Sequence, residues 1–133
     1  MLVFRILAKS CSLLSAGYVW LEKKNFTASI ADFNRAIELR PDDGLALVGR
    51  GLGFMKQAKL DLAVRDFSAA IELDSGIAAA YAYRGVTLIL SGRETEALPD
   101  LKRFIELKPE MKRELEEKVE LAKTMKRGVI PLR

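Results

Sequence analysis

Residues 44–77 read GLALVGRGLGFMKQAKLDLAVRDFSAAIELDSGI, and residues 78–111 follow as AAAYAYRGVTLILSGRETEALPDLKRFIELKPEM. The second stretch repeats the pattern of the first. Gly51 and Gly85 hold the same place in the two, as do Phe67 and Leu101, and Ala70 and Phe104. One step of 34 residues upstream, Gly17, Phe33 and Ala36 fill those places. The period divides Ser10 to Met111 into three units, 10–43 (atypical), 44–77 and 78–111. A fixed step of this size marks stacked supersecondary modules, each too small to bury its apolar face alone.

Each unit reads as two helices. Leu60, Ala63, Val64, Phe67, Ala70 and Ile71 recur on one face of a 3.6-residue helix. Phe26, Ile30, Phe33 and Ile37 do the same upstream, and Leu98, Leu101, Phe104 and Ile105 downstream. Pro41 and Pro109 lack a donor and push the preceding residue out of the α region, so they end these helices. Asp74-Ser75-Gly76 ends the middle one by turn chemistry, while Lys24-Asn25 and Ser91-Gly92 are the turns within units. Gly17, Gly51 and Gly85 cost each first helix about 1 kcal/mol relative to alanine, which places them where two helix axes approach closely. Pro99 falls inside the third unit's second helix, where it either shortens the helix so that proline lies in its first turn, which the first-turn preference favours, or introduces a kink.

At these positions the chain resembles the tetratricopeptide-repeat family. Leu47, Gly51, Phe54, Ala63, Phe67 and Ala70 match its pattern in the second unit, and Tyr81, Gly85, Leu88, Ala97, Leu101 and Pro109 in the third. The first unit matches weakly on its first helix, with Leu13, Ala16, Gly17 and Trp20, and well on its second, with Phe33, Ala36 and Pro41. Arg50 and Arg84 depart from the family's leucine before the glycine, and Ser75 from its proline. The resemblance implies an all-α fold, a right-handed α-solenoid of three helix-turn-helix units whose first helices line a concave groove for peptides or partner helices.

Beyond the repeats, 110–127 reads as a capping helix with Met111, Leu115, Val119, Ala122 and Met125 inward and charges outward. Residues 128–133 read as a flexible tail. Residues 1–9 form an apolar, basic segment whose Leu2, Phe4, Ile6 and Leu7 need cover, which a helical cap or self-association would supply.

Composition narrows the function classes. The chain has 133 residues, half of them apolar, no histidine and one cysteine, Cys11. It therefore lacks the usual neutral-pH proton shuttle, a thiolate metal site and an intrachain disulfide. No catalytic constellation emerges, and neither an enzyme nor a cofactor is expected. The net charge of +4 sits in basic ends around a balanced body, unlike a phosphate-tracking surface, so no nucleic-acid partner is expected. The longest charge-free run, Ser10 to Leu21, is too short to span a bilayer. The basic, acid-free opening resembles a cleaved targeting segment, but Lys9 interrupts its apolar core and the repeat uses the same residues. The single thiol suits the cytoplasm.

A second apolar stripe on the first helices supplies the candidate site. Leu14 and Tyr18, then Leu45, Val48, Leu52 and Met55, then Ala79, Ala82, Tyr83, Val86 and Ile89 are its members. Part of the stripe must pack against the neighbouring unit, and the rest is the candidate groove for a protein or peptide partner. The family subclass that grips acidic chaperone tails uses Lys, Asn and Arg, whereas the corresponding residues here, Leu14, Tyr18, Gly49, Ala79 and Tyr83, cannot pair with a carboxylate. The sequence thus predicts a non-catalytic interaction adaptor. The alternative is a homo-oligomeric structural protein whose groove takes residues 1–9 of its own or another copy.

Overall fold

Caps and breakers set the helix limits. In the computed structural model, which describes Gly17 and residues 23–126, the helices are α1 (Phe26–Leu39), α2 (Gly44–Lys56), α3 (Leu60–Leu73), α4 (Ala78–Leu90), α5 (Glu94–Leu107) and α6 (Lys112–Lys126). A single 3-10 turn, Pro109–Met111, precedes α6, and there is no strand among the described residues. Asn25 accepts from the Ala28 amide, and Asp43 from the amides of Leu45 and Ala46, satisfying donors that a helix start leaves open. Helices α1 and α5 stop two residues before Pro41 and Pro109. Asp74 caps α3, and its Oδ1 accepts from the Gly76 amide at 2.9 Å, giving the turn expected at Asp74-Ser75-Gly76.

Lys24, Ala58 and Gly92 share a place in the repeat, each preceding a second helix by two residues, and all three have positive φ, 60°, 60° and 86°. Only Gly92 meets this demand without a Cβ penalty. The reading of Leu98 as a core residue needs correction, since it is 63% exposed. Its place on α5 turns outward while Ala97, Asp100 and Phe104 turn in.

Pro99 also departs from expectation. Helix α5 does not begin beside it but starts at Glu94 and runs through it. The acidic first turn, Glu94 and Glu96, favours a start there, because carboxylates complement the exposed amides of a helix N-terminus. Pro99 then leaves the Thr95 carbonyl without an i+4 donor, and the exposure of both residues leaves that carbonyl to water. Pro99→Ala should raise the unfolding free energy by about 1–2 kcal/mol. A urea-denaturation midpoint at or below that of wild type would contradict the assignment.

Three clusters form the core. Leu47, Val48, Ala63, Phe67 and Ala70 join α2 to α3 and reach Ala80 of α4. Tyr81, Phe104 and Leu115 bring α4, α5 and α6 together, and Leu88, Ile89, Ala97 and Ala122 close the other end. Helices α2 and α3 pair, as do α4 and α5, while α6 packs along α4. The inward residues expected of a cap behave accordingly. Leu115 and Ala122 are buried and Met111, Val119 and Met125 half-buried.

Residues 1–9, Cys11, Leu13, Leu14, Ala16, Tyr18, Trp20 and Leu21, together with 127 and the tail 128–133, lie outside the described residues.

Candidate functional site

Close approach begins at the glycines. A Cβ on Gly51 would stand 2.6 Å from the Phe67 ring, and one on Gly85 2.7 Å from Leu101. Gly17 and Gly49 both face the Phe33 ring, where added Cβ atoms would lie 2.8 Å and 2.3 Å away. Both phenylalanines are fully buried, so in the first two units the second helix locks onto the first by an aromatic ring seated on bare backbone, and in the third Leu101 takes that place. Gly49 therefore faces α1 across Phe33. Tyr83, one repeat step later, stacks on Phe67 with centroids 6.0 Å apart.

With the axes locked, α2, α4 and α6 present a common face that holds two recesses. The first, about 180 Å³, is floored by Ala78, Ala79 and Ala82 of α4 and walled by Phe104, Met111 and Leu115. The second, about 450 Å³, is bounded by Leu52 and Met55 of α2, Leu90 of α4, and Leu121 and Met125 of α6, with Phe26 of α1. Tyr83, Val86 and Lys118 line both, so the recesses form one furrow along α4.

The stripe residues separate accordingly. Leu52, Met55, Ala79, Ala82, Tyr83 and Val86 line the furrow and are half-buried. Val48 and Ile89, 3% and 1% exposed, lie in the core and are closed to a partner. Leu45, at the start of α2, is 52% exposed and lines neither recess. Leu14 and Tyr18 lie outside the described residues. The α6 wall, Lys118, Leu121 and Met125, was not among the expected site residues. Its signal was present, since Leu115, Val119 and Ala122 stand one repeat step beyond Tyr81, Gly85 and Leu88 and mark α6 as another first-type helix.

The furrow's charge is positive. Among the described residues Lys108 lines the first recess, Lys56 the second and Lys118 both, against one acid, Glu114. Lys118 Nζ donates to Glu114 at 2.8 Å, and this hydrogen bond raises the lysine pKa over the opposing effect of burial. Lys56 and Lys108 have no ion pair among the described residues.

On another face lies a feature that the sequence reading missed. Arg50 donates through Nε and Nη2 to both carboxylate oxygens of Asp66, at 2.8 and 2.7 Å, and through Nη1 to Asn34. Arg84 does the same with Asp100, at 2.7 and 2.5 Å, and with Ser68. Each arginine thus ties its own helix to the next and to a helix of the preceding pair. The carboxylate hydrogen bonds raise both guanidinium pKa values over the opposing effect of burial, so both arginines stay charged. Asp66 and Asp100 are one repeat step apart, as are Arg50 and Arg84, which was the available signal.

Among the described residues no helix is long and apolar enough to cross a membrane, and no group of three His, Cys, Asp or Glu could hold a metal ion. Two family profiles, both described as tetratricopeptide repeat, match residues 12–43 and 48–111. No curated protein matches the sequence. Solved structures do. The tetratricopeptide domain of Arabidopsis OM64 superposes with a TM-score of 0.79 at 21% identity, covering 94% of this chain and 99% of that one. The TPR2B domain of yeast Sti1, solved with an Hsp70 peptide, gives 0.81 at 20% identity, over 89% and 98%. YrrB, described as having an unusual peptide-binding site, gives 0.70 at 27% identity, over 76% of this chain and 52% of its own. The fold is accordingly an all-α solenoid of the kind these domains share.

Proposed function

The chain belongs to the tetratricopeptide-repeat family, and on that premise we propose that it is a non-catalytic interaction adaptor that receives a helix or peptide of a partner protein in the furrow along α4. One observation carries the reading. Leu52, Met55, Tyr83, Val86, Leu121 and Met125 converge on a single recess whose only charged lining residues, among the described ones, are Lys56 and Lys118. A monomer gains nothing by leaving such a surface wet, whereas a docked apolar seam would cover it. Met55 and Met125 suit the role, because an unbranched thioether side chain adapts to differently shaped partners.

The peptides bound by the solved neighbours do not pass to this chain, because identities near 20% support the fold alone. The carboxylate-gripping positions also argue against an acidic chaperone tail. Gly49 is packed on Phe33, and Ala79 and Tyr83 carry no cation.

Leu52→Glu and Val86→Glu test the proposal, since each places a carboxylate in the furrow's wall at a half-buried position. In affinity capture with light scattering run in parallel, the adaptor reading predicts loss of the captured protein by at least ~10-fold at unchanged particle mass. A fall in mass instead would support the alternative, a self-assembling array whose furrow takes residues 1–9 of another copy. Equal capture by wild type and both variants would overturn the furrow as the site.

A further inference from the structure

The furrow's charge pattern identifies its occupant more closely, given the reading above. Its floor follows α4 from Ala78 and Ala79 through Ala82, Tyr83 and Val86 to Leu90, one helical face. At 1.5 Å per residue this face is about 20 Å long. Lysines stand along its whole length, with Lys108 at one end, Lys118 in the middle and Lys56 at the other end. Among the described residues the one acid of the lining, Glu114, is engaged by Lys118, while Lys56 and Lys108 are exposed and have no ion pair. These cations stand at other positions than those compared with the chaperone-tail grip, though they share recess lining with Ala79 and Tyr83, and they border a floor built of alkyl and aromatic groups.

We infer that the furrow takes a short amphipathic helix whose apolar seam is flanked by carboxylate side chains. The seam covers the floor between α2 and α6, and the flanking Asp or Glu side chains meet Lys56, Lys108 and Lys118. Phosphate-rich chains would meet the lysines but leave the apolar floor exposed, which disfavours a nucleic acid. A basic helix would cover the floor but face like charges along both rims.

Two synthetic helices of about 15 residues, sharing one leucine seam and differing only in glutamate or lysine flanks, provide the test by fluorescence anisotropy. The glutamate-flanked helix should bind wild type at least ~10-fold more tightly than the lysine-flanked one, and added salt should narrow the gap. Lys56→Glu should remove most of the preference, and Lys56→Glu with Lys118→Glu should reverse it. Lys56 has no ion pair among the described residues, so its single variant decides the matter if the double variant, deprived of the Glu114 contact, melts early.

Equal binding of both helices, abolished by Leu52→Glu, would overturn the acidic-helix inference while leaving the furrow as the adaptor site. Binding that survives Leu52→Glu but not lysine reversal would overturn both. Binding of neither helix, tighter binding of a single-stranded oligonucleotide, or a doubled mass showing a second copy in the furrow would each overturn the inference.

Discussion

Gly51→Leu should lower the unfolding free energy by about 3 kcal/mol, the upper end of the usual cost of overpacking. The site leaves no room even for a methyl group. A Cβ there would stand 2.6, 2.9 and 3.0 Å from three carbons of the Phe67 ring. That ring is fully buried and stacked on Tyr83, so it can retreat only by displacing α4. Leucine's higher helix propensity returns about 0.8 kcal/mol, too little to offset the clash. Gly51→Ala separates the two effects, because it gains the propensity yet still brings a Cβ against the ring. The alanine variant should be destabilised less than the leucine one, and both should show a lower urea midpoint at an unchanged slope. Because Phe67 supports Tyr83, which lines the furrow, Gly51→Leu should also weaken furrow binding by more than its stability loss requires. A leucine variant with the wild-type midpoint would mean that Phe67 is not seated on Gly51.

Most of the helical framework could be read from spacing, because repetition tests each assignment more than once. Gly51 alone is an ordinary helix defect; with Gly17 and Gly85 it marks contact between axes, and all three prove to face a large side chain. Pro41 and Pro109 were equally legible, since a missing donor and a steric clash act locally. Pro99 was not. Its first-turn preference competed with the acidic start at Glu94 and Glu96, and the helix began at the acids. The furrow was legible only in part for a geometric reason. A periodic stripe gives the direction a side chain points, while accessibility depends on what lies opposite. Val48 and Ile89 share a stripe with Leu52 and Val86, yet neighbouring helices cover them. The contribution of α6 was hidden because its charges suggested a solvated cap, although its apolar residues keep the repeat's register. Arg50 and Arg84 were read only as departures from a family pattern. Their function depends on acids sixteen residues away, beyond the reach of helical periodicity.

Those arginines carry the second large effect. Arg84→Leu restores the residue usual in the family, yet it should destabilise the chain by about 3 kcal/mol. Asp100 is 4% exposed and gives both carboxylate oxygens to Arg84. Removing the arginine strands a charge that water cannot reach, and such half-broken pairs cost about 3–5 kcal/mol. The lower end applies here because the Arg84 side chain is 24% exposed and some solvent can follow it. Asp100→Ala should cost less, since the freed guanidinium keeps Ser68 and its partial access to water. The double variant Arg84→Leu/Asp100→Ala should be more stable than the sum of the single losses predicts, with a coupling of at least about 1.5 kcal/mol. Ser68→Ala measures the third contact alone and should cost about 1 kcal/mol. The same hierarchy should recur at Arg50, Asp66 and Asn34, because the repeat reproduces the geometry. Urea titrations of these variants decide the question. Additive losses at Arg84 and Asp100 would reduce the pair to an incidental surface contact, while strong coupling at both positions would establish that polar clamps, and not apolar burial alone, hold one helix pair in register with the next.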